Sequence, residues 1–323
     1  MKDLRKVLPL LKIGAGRGTY PIYCQYINSK DGKVSTCNGD EYVSVDQTLP
    51  FQGSINIFVL EDILKNFDEF ATKVKNGKLI ISSGSYSSFL NIADFDFPVL
   101  KMPKIRMLTI DEDLLRILKE ASNFVGKDIY ESVCITGTSI VATNRNRVFF
   151  HKRDTAVKEP IFLTRRMLSM LASNCKIGTQ DNKIIISFDG GYIIAIGRIM
   201  DDFPLSKIEE FIEASKKGMV KLCNIAYMQD AKKKLSPIFF GELEQWISLK
   251  NNKKKLMLLA ESNTNGTAEV VIPSEIEDKF GIDINANILK DVAIDFDVYV
   301  NLNRLDKLYL TNDETELVLM GGK

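Results

Sequence analysis

Few side chains in this 323-residue sequence are set out for making and breaking bonds. The one histidine, His151, stands between Phe150 and Lys152 and reads as a surface strand residue, not a general base. Gly14-Ala15-Gly16-Arg17-Gly18 has the glycine density of a phosphate loop. It follows a helical pattern instead of a strand, however, and lacks the closing Gly-Lys-Ser/Thr. Asp201 and Asp202 are adjacent acids on a turn, which point apart and read as loop solvation. Asp313 and Glu314 occupy a hairpin without the ligand number calcium requires. Five cysteines, Cys24, Cys37, Cys134, Cys175 and Cys223, form no Cys-x-x-Cys pair. They read as reduced, mostly buried thiols of a cytoplasmic protein, with no zinc site and no disulfide framework. The chemistry in good supply is electrostatic. Arg116, Lys119 and Asn123 recur at helical spacing beside an apolar stripe of Leu114, Leu118 and Ala121. Arg165 and Arg166 open a second helical pattern, and Lys232, Lys233 and Lys234 run along a third. Basic side chains repeated on helices suit phosphate-backbone contact that ignores base sequence. Neither an enzyme, a metal site nor a cofactor is expected.

The totals constrain the class. With 45% hydrophobic and 26% charged residues the chain reads as globular, and its length favours more than one domain. No apolar run approaches the ~20 residues of a membrane span. The basic, apolar start "MKDLRKVLPLLKIGAG" makes a poor signal peptide because of Asp3 and its short apolar core. Lys and Arg number 43 against 42 Asp and Glu, so bulk positive charge cannot be what holds nucleic acid.

The elements that would position these residues come in copies. Asp96-Phe97-Pro98 returns as Asp202-Phe203-Pro204, 106 positions later, and the surroundings keep step. Ile22-Tyr23 matches Ile129-Tyr130, "VSTCN" from Val34 matches "IVATN" from Ile140, and "KLIIS" from Lys78 matches "KIIIS" from Lys183. "FVLEDILKNF" from Phe58 matches "FLTRRMLSML" from Phe162 at an offset of 104. Each copy predicts an opening helix (Leu4–Lys12, Asp111–Phe124), strands with a turn at Asp31-Gly32, a second helix (Leu60–Phe70, Thr164–Ala172) and a closing hairpin. Thr109, three before Glu112, suggests a capping box. The last 110 residues fit a third copy with "NIAYMQDAKKKL" as opening helix and "SEIEDKFGIDINANILKD" as an insertion. In that copy "VAIDFDVYVNLNRLDKL" is expected to repeat the strand-into-helix step, and the end is short.

"LPLLKIGAGRGTYPIYCQYIN", "GKLIISSGSYSSFLNIADFDFP" and "VATNRNRVFF" together resemble bacterial DNA polymerase III β-subunit sliding clamps. The resemblance runs in order along nearly the whole chain. It implies an α+β fold of three tandem clamp domains, 1–104, 105–213 and a divergent, shortened 214–323. Each domain sets two helices against antiparallel sheets, and two subunits close head to tail into a ring with helices lining the hole. Its length and brief third copy suggest a phage-like member, placed in the host cytoplasm if phage-encoded.

The function implied is a processivity factor that encircles duplex DNA and tethers a polymerase. The alternative is an adaptor of the same fold that binds replication or repair proteins without encircling DNA. An enzyme using an interdomain cleft is a remoter rival. Arg17 stands where the family places a DNA-contacting arginine, joining Arg116, Lys119, Arg165, Arg166 and Lys233. The family's pocket for a linear peptide of polymerase or clamp loader carries over to Tyr130, Thr143, Arg147, Val148, Pro204, Ile208, Val318 and Met320. Departures are Arg145 for the family's glycine, Asn146 for its histidine, and Met320-Gly321-Gly322-Lys323 at the end. A changed ligand preference follows from them.

Overall fold

The computed structural model describes residues 2–17, 21–67, 69–197, 203–289, 292 and 295–321. Within them one element order recurs: helix, four strands, helical segment, three strands. Its first occurrence is α1 (Lys2–Leu11), β1 (Tyr26–Lys30), β2 (Lys33–Cys37), β3 (Glu41–Asp46), β4 (Gly53–Asn56), α2 (Ile57–Lys65), β5 (Ala71–Lys75), β6 (Lys78–Ser83) and β7 (Tyr86–Asn91). A short β8 (Leu108–Thr109) precedes the second. That comprises α3 (Glu112–Ser122), β9 (Ser132–Ile135), β10 (Ser139–Thr143), β11 (Arg147–Lys152), β12 (Ile161–Thr164), α4 (Arg165–Ser169), β13 (Lys176–Gln180), β14 (Lys183–Phe188) and β15 (Gly191–Ile196). A connecting α5 (Leu205–Lys216) and β16 (Met219–Asn224) lead to α6 (Ile225–Leu235), β17 (Trp246–Asn252), β18 (Lys255–Ser262), β19 (Gly266–Pro273) and β20 (Phe280–Asn285). A 3₁₀ turn (Ala286–Leu289), β21 (Asp297–Asn301), β22 (Lys307–Thr311) and β23 (Thr315–Met320) complete the third occurrence.

Local chemistry fixes the boundaries and corrects several expectations. Asn56 caps α2, its Oδ1 accepting from the N–H groups of Phe58 and Val59, so that helix starts at Ile57 and not Leu60. Thr164 does the same for α4, accepting from the Met167 N–H at 3.3 Å. These two caps are the equivalent positions, 108 residues apart, which displaces the 104 offset of the bare sequence match. The α3 cap is Asp111, whose Oδ1 accepts from the Leu114 N–H at 2.7 Å; Thr109 belongs to β8 instead. The stretch read as an insertion holds the third strand-into-helix step, β20 into the 3₁₀ turn. β21 runs instead through a turn into β22. Helix α5 has no counterpart after the first Asp-Phe-Pro and was not foreseen. Gly14, in the loop read as a poor phosphate site, is there for contact: a Cβ on it would lie 2.6 Å from Thr36 Oγ1.

The chain divides into two compact units, residues 1–115 with 170–199 and residues 116–169 with 200–323. The first holds an antiparallel sheet in the order β4-β1-β2-β3-β15-β14-β13-β8 and a three-stranded sheet β5-β6-β7. The second holds β12-β9-β10-β11-β23-β22-β21-β16 and β19-β18-β17-β20. In each unit, then, an eight-stranded sheet joins the four strands of one copy to the three of the next. The joints share a register. Glu41 to Val45 pair with Ala195 to Gly191, and Arg147 to His151 pair with Leu319 to Thr315, position for equivalent position.

The sheet faces differ where α5 lies. Across the second unit's sheet a row reads Phe162, Cys134, Val141, Phe150. Ile208 and Ile212 of α5 pack on the apolar cluster this row helps to build, with Val148, Phe203, Tyr309 and Val318. The equivalent row in the first unit reads Ser54, Asn28, Ser35, Ser44. Among the described residues no helix equivalent to α5 packs there, and a cleft of about 600 Å³ opens along Asn28, Gln52, Asp94, Phe95 and Asp96. Ser54, Asn28, Ser35 and Ser44 are all buried, and Ser54 Oγ donates to Asn28 Oδ1 at 3.1 Å, so this polar row is satisfied inside the unit.

Candidate nucleic-acid and peptide interfaces

Helix α3 presents its basic residues as its spacing predicts. Leu114, Ile117, Leu118 and Ala121 are buried, while Arg116, Lys119 and Asn123 are exposed. The Arg116 guanidinium shares its charge with Glu120 at 3.0 Å, one turn on. Arg165, also exposed, makes contacts within the fold. Its Nε donates to the Ser122 carbonyl at 3.2 Å and a terminal nitrogen to the Val125 carbonyl at 3.1 Å. Arg147 donates to the neighbouring Asn123 carbonyl at 2.8 Å and stacks over the Phe124 ring. Two guanidinium groups therefore meet the carbonyls left open at the end of α3, where the helix dipole is negative. No spacing in the sequence announces this contact, because the partners are more than twenty residues apart.

The other members of the basic set lie on other elements. Arg166 is exposed on α4 and Lys233 on α6, where Lys234 pairs with Asp230 at 2.7 Å. Arg17 is exposed in the first unit with its guanidinium 4.2 Å from the Phe58 ring centroid. In the same unit Lys12 and Lys65 both reach Glu61, holding its carboxyl below the usual carboxylate range chiefly through the Lys12 hydrogen bond.

The peptide-pocket set gathers within the second unit. Val148, Ile208 and Val318 belong to the buried cluster under α5, and Thr143 is buried nearby, donating to the Arg147 carbonyl at 2.8 Å. Tyr130, Arg147, Pro204 and Met320 remain half-buried. Arg145 holds φ +78°, a left-handed conformation natural to the glycine of the resembled family, and its guanidinium sits 5.2 Å from the Tyr130 ring centroid. Val148 and Val318 face each other across the β11–β23 joint.

Charge is also buried at this joint. Glu316, 3% exposed, takes Lys152 at 2.9 Å and Lys216 of α5 at 3.0 Å, tying the helix end to the sheet. Burial, with the Glu316 carboxylate nearby, drives the Tyr309 hydroxyl well above its ordinary range. His151 is a correction: it is 3% exposed, not on the surface, and its Nδ1 lies 2.7 Å from Thr315 Oγ1. All five thiols are free and buried, and burial pushes Cys134 and Cys223 up to about 12. The pair Asp201-Asp202 lies outside the described residues. Among those residues no helix is long and apolar enough to cross a membrane.

No protein-family model and no curated protein matches the chain. Solved structures do match it, and they define the fold class: that of DNA polymerase III beta sliding clamps. The Caulobacter crescentus beta sliding clamp superposes with a TM-score of 0.81 at 14% identity, over 100% of this chain and 97% of that one. DNA polymerase III subunit beta of Pseudomonas aeruginosa gives 0.80 at 15% identity, over 100% and 98%. The Helicobacter pylori beta clamp bound to a DNA ligase peptide gives 0.76 at 16% identity, also over 100% and 98%. The α+β clamp architecture expected from the sequence is the one found.

Proposed function

We propose that this chain is a sliding clamp: a homodimeric ring that encircles duplex DNA in the cytoplasm and tethers a DNA polymerase, catalysing nothing itself. In this reading residues 1–104, 105–213 and 214–323 are its three domains. The observation that carries it is the repeated joint. β3 pairs with β15 and β11 pairs with β23 in one register, which leaves β19 and β7 as the corresponding edges without a partner strand. A chain with such edges either pairs them or risks aggregation. A second copy satisfies both, β19 of each subunit against β7 of the other, and the six domains close. Large apolar side chains are exposed at these edges, Tyr86 and Phe89 on β7, Val271 on β19, and Phe240 and Leu243 in the loop leading to β17.

Closure supplies what the near-neutral charge does not. A ring stays on DNA by topology, so Arg17, Arg116, Lys119, Arg166 and Lys233 need only make weak, sequence-blind contacts with phosphates. Arg165 supports the same surface by fixing the end of α3. Partners, the polymerase and a clamp loader, dock a linear peptide at the half-buried rim of Tyr130, Arg147, Pro204 and Met320. Thr143, Val148, Ile208 and Val318 are buried beneath that rim and support it. The test is molar mass by light scattering at micromolar concentration. Twice the chain mass is expected; a monomer would contradict the reading.

A further inference from the structure

Lysine is seldom buried without a carboxylate beside it. Lys307 of β22 is 6% exposed, and its Nζ meets the face of Phe211 on α5 at 4.6 Å from the ring centroid. The Lys307 ammonium has no hydrogen bond or ion pair among the described residues, though it is not closed off from solvent; the adjacent Asp306 accepts from Arg304 Nε through Oδ2 at 2.6 Å, while its Oδ1 is buried without a partner. Burial pulls the Lys307 pKa below the usual lysine range, with Asp306 resisting. An ammonium has three donors, and a phenyl face completes none of them as an oxygen would. Its surroundings are those of the peptide site. Lys307 pairs directly with Met320 across β22 and β23, which sets the two side chains side by side on one face. Phe211 and Met320 both pack on the cluster containing Val148 and Val318.

We propose that Lys307 determines the specificity of this site by taking a carboxylate, an Asp or Glu side chain, from an extended partner peptide whose apolar residues rest against Met320. The proposal rests on the peptide-docking reading above and adds its electrostatic half. A partner acid would supply the hydrogen-bonded anion that no described residue gives the Lys307 ammonium. An amide or hydroxyl in its place would leave the cation as it is now, and that difference is what selects among partners.

Random heptapeptides displayed on phage provide the probe, selected in parallel on the intact protein, on Lys307→Met and on Val148→Asp. Wild type should enrich peptides with an Asp or Glu next to large apolar residues. A synthetic winner should bind Lys307→Met roughly 10- to 100-fold more weakly, the range for a hydrogen bond to a charged group. Replacing its acid by Asn should erase the difference between the two proteins, and Lys307→Arg should keep the acid preference. Lys307→Met keeps chain length and removes a buried cation, so its melting temperature should equal or exceed that of wild type. Winners without an acid, or equal binding by Lys307→Met, would overturn the role of Lys307 while leaving the pocket intact. Winners that bind folded Val148→Asp as well as wild type would overturn the pocket itself.

Discussion

Phe89→Ala tests the proposed closure at one side chain. Phe89 lies on the open edge strand β7 and is 61% exposed in the single chain, so the fold of the monomer gains little from it. A phenylalanine presents roughly 200 Å², which leaves about 120 Å² for a partner to cover. Truncation to alanine forfeits about two thirds of that, and ~80 Å² at ~25 cal/mol per Å² is ~2 kcal/mol. A head-to-tail dimer contains the contact twice, so the ring loses ~4 kcal/mol, about a thousandfold in dissociation constant. Sedimentation equilibrium over a concentration series reads this directly. Val74→Ala is the control, since Val74 is 43% exposed on β5, the opposite edge of the same three-stranded sheet. Phe89→Ala should dissociate at concentrations where wild type and Val74→Ala remain dimeric, with the melting of the separated chain unchanged. Undiminished assembly of Phe89→Ala, or weakened assembly of Val74→Ala alone, would refute the assignment of the β7 edge.

Other consequences follow from the same geometry. Ile212→Ala, at a position 1% exposed beneath α5, should cost about 2–5 kcal/mol by leaving a cavity, measured by urea denaturation of the second unit. Arg165→Gln should cost about 1–2 kcal/mol by uncapping α3, while Lys119→Gln should leave stability within about 0.5 kcal/mol. On duplex DNA Lys119→Gln should instead lower the slope of log K against log salt by about 0.9. At pH 8 a thiol pushed up to about 12 is roughly one part in ten thousand thiolate, so Cys134 and Cys223 should resist alkylation in the native protein. They should react only as the chain unfolds, which mass spectrometry along a denaturant series detects.

The copies were legible because strand alternation and the Asp-Phe-Pro turn depend on neighbours in sequence. The closing hairpins β6–β7 and β14–β15 start at the residues their matched segments gave, Lys78 and Lys183. Helix α5 was missed although Leu205, Ile208, Ile212 and Ser215 carry helical spacing. The first copy continues as extended "VLKMPKIRM" at that point, so the repeat itself called for no helix there. The third strand-into-helix step was hidden for the converse reason: its helix is a single 3₁₀ turn, too short for a periodic pattern. Of the candidate site, the exposed face of α3 was read correctly from its heptad-like spacing. The cap that Arg165 and Arg147 place on its end, and the buried lysine at Lys307, depend on contacts across the fold. His151 looked like a surface residue, but it shares the β11 face of Phe149, which packs on Phe124, and its ring nitrogen meets Thr315 of the joined strand.

Retention on DNA tests the central claim most directly. Fluorescently labelled protein is loaded on nicked circular DNA, isolated by gel filtration in moderate salt, and the DNA is then cut once with a restriction enzyme. An encircling clamp should stay on the closed circle and run off the ends after cutting, with little dependence on salt before the cut. Equal loss from circular and linear DNA would mean that the protein binds without encircling, and the adaptor reading would take its place.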